Sequence, residues 1–282
     1  MHNLHRELAP ISSAAWEQIE AEVARTFKRS VAGRRVVDVD GPGGAALAAV
    51  GTGHQRAIDS SQTGVEAKLR EARPLVQLTV PFDLQRDAID DAERGSQDSD
   101  WQPVKDAAKA LAFAEDRAIF DGYAAAGIVG VRPASSNAPV RLPDNVSDYP
   151  SAIGNALEAL RLAGVDGPYS VLLGADAYTA LAEARDQGYP VIEHLRRIVN
   201  GEIIWAPALQ GGSVLTTRGG DYELHLGEDL SIGYLSHTDS TVRLYLCETF
   251  TFLMLTGEAS VPVVLAQAEK GAHSSQERSP NA

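Results

Sequence analysis

The chain has 282 residues, 25 basic and 38 acidic side chains and a formal net charge of −13; its 44% hydrophobic content can fill one large core or two modest ones. That acidic balance argues against nucleic-acid binding, which rests on Lys and Arg neutralising phosphates. No apolar run approaches the roughly 18 residues of a membrane span, residues 1–10 lack the apolar stretch of a secretory signal, and the lone Cys247 has no intrachain partner, so the expected compartment is the cytoplasm.

The first predicted element is a helix after Pro10, capped by Ser12 or Ser13. Trp16, Ile19, Val23 and Phe27 form its apolar stripe, and Glu17, Glu20, Glu22 and Arg25 its polar face. Leu4, Leu8 and Ile11 precede it and fall outside the stripe, an apolar excess that suggests a second contact surface. Arg34 to Val39 reads as a short strand, ended by Gly41-Pro42-Gly43-Gly44. Residues 48–77 are poor in bulky apolar side chains and too long for an ordinary loop, which suits a two-stranded arm. Val76 to Phe82 alternates like a strand, and Ile89 to Gly95 is a short helix closed by glycine. An alanine-rich helix capped by Ser99 or Asp100 is predicted over 101–126, roughly 35–40 Å long, as a spine.

Residues 131–150 carry four prolines and read as loop. Helices are expected at 151–163, 176–184 and 192–199, with strands at 169–173, 203–205 and 213–217. This region resembles a small α/β module. Asp186-Gln187-Gly188-Tyr189-Pro190 is a turn between two of its helices. The last third is β-rich, with alternating strands at 222–226 and 242–255. On the second, Val242, Leu244, Leu246, Phe250, Phe252 and Met254 share one face. Glu248 falls on that apolar face, where periodicity alone gives no reason for a charge. From about Gln267 the composition turns polar, and a disordered tail is expected over 267–282.

The search for chemistry returns no active site. Gly41-Pro42-Gly43-Gly44-Ala45-Ala46 fits a dinucleotide fingerprint in letters only: Pro42 has no N–H for a phosphate, and no cappable helix follows. The seven histidines lack metal spacing, no G-x-S-x-G elbow is present, and Cys247 beside Glu248 has no electropositive setting to make a thiolate. The acidic pairs Asp90-Asp91 and Asp98/Asp100 sit beside turns and read as solvated charge. The expectation is therefore no catalytic residues, no metal and no cofactor.

Several segments together resemble the actinobacterial encapsulins, or linocin family, of shell proteins. They include Ala24 to Lys28, Gly33 to Asp38, Ile89 to Gly95, Asp98 to Trp101, Leu160 to Leu173, Ile203 to Pro207, Leu215 to Asp221 and Val242 to Leu246. The resemblance spans about residues 1–265. It implies an α+β, phage-capsid (HK97-like) fold with a peripheral domain (1–47, 78–130 and 217–266), an extended arm (48–77) and an axial domain (131–216). The arm would be ordered by pairing between chains.

The same resemblance implies a self-assembling icosahedral homo-oligomer, with on the order of sixty copies in the smallest closed shell. Its cargo would be a peroxidase of the dye-decolourising type or a ferritin-like protein, held by a C-terminal targeting peptide. The implied docking groove comprises Leu8, Ile11, Arg34, Asp38, Asp229, Leu230 and Ile232, with Arg34 and Asp38 on the first strand. Asp186, Gln187, Gly188 and Tyr189 would line a five-fold pore that passes small molecules. Neither nucleic acid nor membrane is an expected partner. An independent hydrolase or protease-like bacteriocin would need a nucleophile with a base or a metal cluster. A phage structural capsid protein would need basic surface for packaged DNA. The sequence offers neither.

Overall fold

A computed structural model describes residues 4–265. The tail expected over 267–282 lies outside the described residues. The described residues form two compact units, 4–130 with Tyr222–Met254, and Val131–Asp221 with 255–265.

In the first unit, helix α1 (Ser13–Ser30) starts where the Ser12 hydroxyl accepts the Ala15 N–H at 3.3 Å. Its Ile19, Val23 and Phe27 are buried, and Trp16 is half-buried against the same core. Glu22, expected on the polar face, is also buried; it accepts a hydrogen bond from Thr26 and pairs with Arg25. A 3-10 turn (Gly33–Arg35) and a three-residue strand β1 (Asp38–Asp40) follow. The expected strand over 34–39 is thus corrected. The buried Asp116 carboxylate takes the N–H groups of Ala32 and Gly33 at 2.7–3.1 Å, so these residues curl around it and cannot extend.

The glycine run after β1 is a turn. Its Gly43 and Gly44 N–H groups donate to the carbonyls of Leu226 and Gly227 at 2.9 and 2.7 Å, so they are engaged within the chain and not presented to a phosphate. Strands β2 (Ala49–Ile58) and β3 (Ala67–Pro74) then form an antiparallel hairpin paired with no other described strand. No residue of either strand is buried.

Strand β4 (Val76–Gln85) enters the body, and helices α2 (Arg86–Glu93) and α3 (Gln102–Phe120) pack against α1. Trp101 Nε1 donates to Gln18 Oε1 at 3.0 Å, and Gln18 Nε2 to the Ser96 carbonyl at 2.8 Å, which ties α1 to the α2–α3 connection. The spine helix is shorter than the expected 101–126. Gly122 takes φ +87°, and Tyr123 pairs with Ile128 in an isolated bridge. A Cβ on Gly130 would lie 2.3 Å from the Gly122 nitrogen, so this reversal requires glycine and the helix ends before it.

The second unit fills the span expected to be loop at 131–150 with a short helix α4 (Val131–Ala134), strand β5 (Val140–Leu142) and the start of helix α5 (Tyr149–Leu162). Strand β6 (Tyr169–Leu173), helix α6 (Ala175–Glu183), a small hairpin β7 (Arg185–Asp186) and β8 (Tyr189–Pro190), and helix α7 (Val191–Ile198) come next. Strands β9 (Ile203–Trp205) and β10 (Gly212–Thr216) follow.

The chain returns to the first unit with β11 (Tyr222–Leu226), β12 (Ser231–His237) and β13 (Thr241–Met254), and ends its described course in β14 (Ser260–Leu265). Strand β14 pairs with β5 and β10 in a sheet of order β5-β14-β10-β6-β9. Residues 217–221 and 255–265 fall in the second unit. Val261 and Val263 are fully buried in that sheet, and their run of apolar residues is too short to declare its partner in the sequence.

In the first sheet, β4 pairs along one side of β13, and β12 and then β11 pair along the other. β11 carries β1 on its outer side, in parallel. Leu226 lies opposite Phe250 and Ser231 opposite Cys247, so residues 227–230 face only residues 248–249. β11 and β12 thus act as one long strand with a four-residue bulge, which re-aims side chains at its crest.

Candidate functional site

The bulge carries Asp229 to Arg34. Arg34 Nη1 donates to Asp229 Oδ1 at 2.7 Å, and Leu230 N–H donates to the same oxygen at 2.7 Å. Behind this contact Arg34 meets Glu115 of α3 through Nε (2.9 and 3.0 Å) and Nη2 (2.5 Å), and Glu248 of β13 through Nη2 (3.2 Å). Its guanidinium lies over the Phe27 ring, 4.9 Å from the centroid. Glu115 and Glu248 are fully buried, Arg34 is 18% exposed and Asp229 is 45% exposed.

Arg34 donates to Oε2 of the glutamate at position 248 that strand periodicity could not explain, and Oε1 of that glutamate is buried without a hydrogen-bond partner among the described residues. Burial alone would lower the Arg34 pKa, but the hydrogen bonds and charges of Glu115 and Asp229 outweigh it and hold the guanidinium firmly ionised. Burial, reinforced by the Glu115 charge, pushes Glu248 up to about 10. Burial also pushes the neighbouring Asp116 up to about 7, against the pull of the Gly33 and Ala32 N–H groups. Cys247 is buried, and burial with the nearby Glu228 raises it to about 11, so it stays a thiol.

Of the apolar members of the expected groove, Leu230 adjoins this cluster through its N–H bond to Asp229. Ile232 is buried in the core shared by α1, α2, α3, β4, β12 and β13, and Ile11 and Leu230 pack half-buried against that same core. Leu4 is joined to β12 through its carbonyl, which accepts the Tyr234 N–H at 2.8 Å. Leu8 stays 62% exposed in a 3-10 turn (Arg6–Leu8). Asp38 lies on β1, level with Glu223 of β11. The structure therefore gathers Ile11, Leu230 and Ile232 at one core, joins Arg34 to Asp229, and sets Asp38 on the outermost strand. A cleft of about 510 Å³ opens on Arg34, lined by Phe27, Lys28, Val31 and Arg35 as well.

Glu115, Glu248 and Asp116 were absent from the sequence-derived site. The misplaced Glu248 was the one visible signal. The acidic pair Glu115-Asp116 on the spine helix gave none, because adjacent helical residues normally point apart. Here one meets Arg34 and the other caps the turn that holds it. Gly33 is the tightest point of that turn. A Cβ there would lie 2.7 Å from Ile119 Cδ1 and 3.1 Å from Asp116 Oδ1. Gly33→Ala is therefore expected to cost about 1–3 kcal/mol through overpacking, read as a lower denaturation midpoint. An unchanged midpoint would show that Ile119 yields freely.

In the second unit, Asp186, Gln187, Gly188 and Tyr189 form the β7–β8 hairpin. Gln187 and Gly188 both take positive φ (47° and 86°), as a two-residue hairpin turn demands. Tyr189 stacks on His194, 4.9 Å between centroids, and its hydroxyl accepts from Arg197 Nη2 at 3.0 Å.

Comparison with known proteins gives a consistent answer. A linocin-type family model described as "Encapsulating protein for peroxidase" matches residues 1–251. The type 1 encapsulin shell protein of Rhodococcus erythropolis is 63% identical over 93% of this chain and 99% of its own length. That of Mycobacterium tuberculosis is 61% identical over 93% of this chain and 98% of its own length. Among solved structures, a virus-like particle from Pyrococcus furiosus matches with a TM-score of 0.58 at 16% identity, covering 87% of this chain and 98% of that one. A Microbacterium phage Oxtober96 chain matches with a TM-score of 0.56 at 10% identity, covering 84% and 91%. At such identities these two matches establish the fold, the α+β phage-capsid (HK97-like) type. No helix among the described residues is long and apolar enough to cross a membrane. By its sequence over nearly the whole length of its curated relatives, and by its fold, the chain belongs to the encapsulin family of structural shell proteins, which are not enzymes.

Proposed function

We propose that this chain assembles into a closed icosahedral shell, with on the order of sixty copies in the smallest form, which encloses a cargo enzyme in the cytoplasm. The cargo is a dye-decolourising-type peroxidase or a ferritin-like protein, retained by a C-terminal targeting peptide. The first unit acts as the peripheral domain, the second as the axial domain and residues 48–77 as the arm that pairs between copies. Asp186, Gln187, Gly188 and Tyr189 line the five-fold pore for small molecules. Neither nucleic acid nor membrane takes part.

The observation that supports the cargo reading is Leu230, half-buried on the core of the first unit and adjoining the Arg34–Asp229 pair, with Ile11 half-buried on the same core and Ile232 buried in it. An extended peptide needs apolar surface for its anchors and a polar frame to fix its register, and these residues are of both kinds. Leu8 and Asp38 extend the groove at its two ends.

Negative-stain microscopy of the purified protein is expected to show uniform hollow particles. A reporter carrying the cargo peptide should load into them. Leu230→Asp should leave the particles intact and lower loading by about 10- to 100-fold, the equivalent of roughly 1.5–3 kcal/mol for one apolar anchor. Monomers and dimers alone across a range of salt concentrations would remove the shell reading. Undiminished loading would remove the groove.

A further inference from the structure

Arg34 faces three carboxylates, Glu115, Glu248 and Asp229, and no second cation is paired to Glu115 or Glu248 among the described residues. With all four groups ionised the cluster would carry two uncompensated negative charges, with both glutamates fully out of water. Burial on that scale normally neutralises a group. The two carboxylates converge on one nitrogen: Arg34 Nη2 lies 2.5 Å from Glu115 Oε2 and 3.2 Å from Glu248 Oε2, and Glu248 Oε1 is buried without a hydrogen-bond partner among the described residues. Two ionised carboxylates packed on one guanidinium out of water repel each other, and a single proton relieves that repulsion. We propose that Glu115 and Glu248 hold a single shared proton at neutral pH, and that this proton lets Arg34 bind both of them and Asp229 at once.

The groups facing Glu248 are few. Arg34 comes from the 3-10 turn, Glu115 with Asp116 beside it from α3, and Glu228 and Asp229 from the bulge. Cys247 adjoins it on β13, and β4 places the apolar Leu78 opposite. Every titratable neighbour apart from Arg34 is acidic or a thiol, so nothing else offsets a second negative charge. Loss of the shared proton would leave the two buried carboxylates repelling each other across one guanidinium. The contact with most freedom to give is the half-exposed Asp229, at the crest of the bulge that also carries Leu230. The clamp is thus set to loosen on the alkaline side.

The sign is fixed by the direction of the shift. Glu248 is raised from 4.5 to about 10, so its contribution to stability is complete below pH 4.5 and is lost progressively as the pH rises through about 10. Unfolding within that window releases the proton. Asp116, raised only to about 7, is mostly ionised by pH 8.5 and drops out there.

The test is proton release when assembled wild-type protein is denatured by guanidinium in weakly buffered solution at pH 8.5. We expect about one proton more per chain than from E248Q, whose neutral amide donates to Glu115 without titrating. E115Q should lose the same proton, because its amide can donate to an ionised Glu248. Infrared spectra of folded wild type at pH 8.5 should show the carbonyl stretch of a protonated carboxyl, absent from E248Q. Equal proton release by wild type and both variants, or no such band in the wild type, would overturn the proposal. The wild-type band alone decides if neither variant folds. None of these readouts depends on cargo binding.

Discussion

Arg34→Met is expected to lower the stability of the first unit by about 3–5 kcal/mol, the scale seen when one partner of a buried ion pair is removed. The loss arises less from the missing attraction than from what remains. Glu115 and Glu248 are fully buried, and Arg34 is the cation paired to both. Its methionine replacement would still cover Phe27, so packing changes little. At about 2–4 °C per kcal/mol for a unit of this size, the thermal midpoint should fall on the order of 10 °C, measurable by calorimetry. A drop below about 2 °C would show that Arg34 is not the countercharge. Combining Arg34→Met with Glu115→Leu and Glu248→Leu should restore much of the loss, because well-packed apolar replacements of buried ion pairs are often neutral or stabilising.

Replacing Gly51–Arg73 by a short Gly/Ser linker should leave the subunit folded and abolish shell formation. Strands β2 and β3 pair only with each other among the described strands and bury none of their residues, so their loss removes no core. A lone two-stranded hairpin is marginal in water. This one leaves Ile58, Val65 and Leu69 at least 40% exposed, apolar surface that pairing with a neighbouring copy would cover. Sedimentation should move from a single large particle to subunit-sized species, while far-ultraviolet circular dichroism and the cooperativity of unfolding persist. Intact particles from the shortened chain would show that the arm is dispensable. Loss of cooperative unfolding would show that it supports the body.

The local pattern of the chain was legible where one face of an element decides its fate. The α1 stripe, the alternation of β13, the fully apolar β6 and the glycine turn at 187–188 each appear in the sequence because burial or positive φ selects residue types at fixed spacing. The β2–β3 hairpin was legible for the opposite reason: it lacks the apolar residues a core would demand. The family, and with it the phage-capsid fold, came from matching whole segments and not from periodicity. Tertiary structure alone decided the rest. Asp116 turned an expected strand at 34–39 into a tight turn, Gly122 and Gly130 cut the spine helix at Phe120, and β14 joined the sheet of the second unit. Each depends on partners distant in sequence. So does the Arg34 cluster, whose members at 34, 115, 229 and 248 come from four separate segments. In the sequence Glu248 is a single misplaced charge on an apolar strand; only the fold supplies the arginine that makes its burial tolerable.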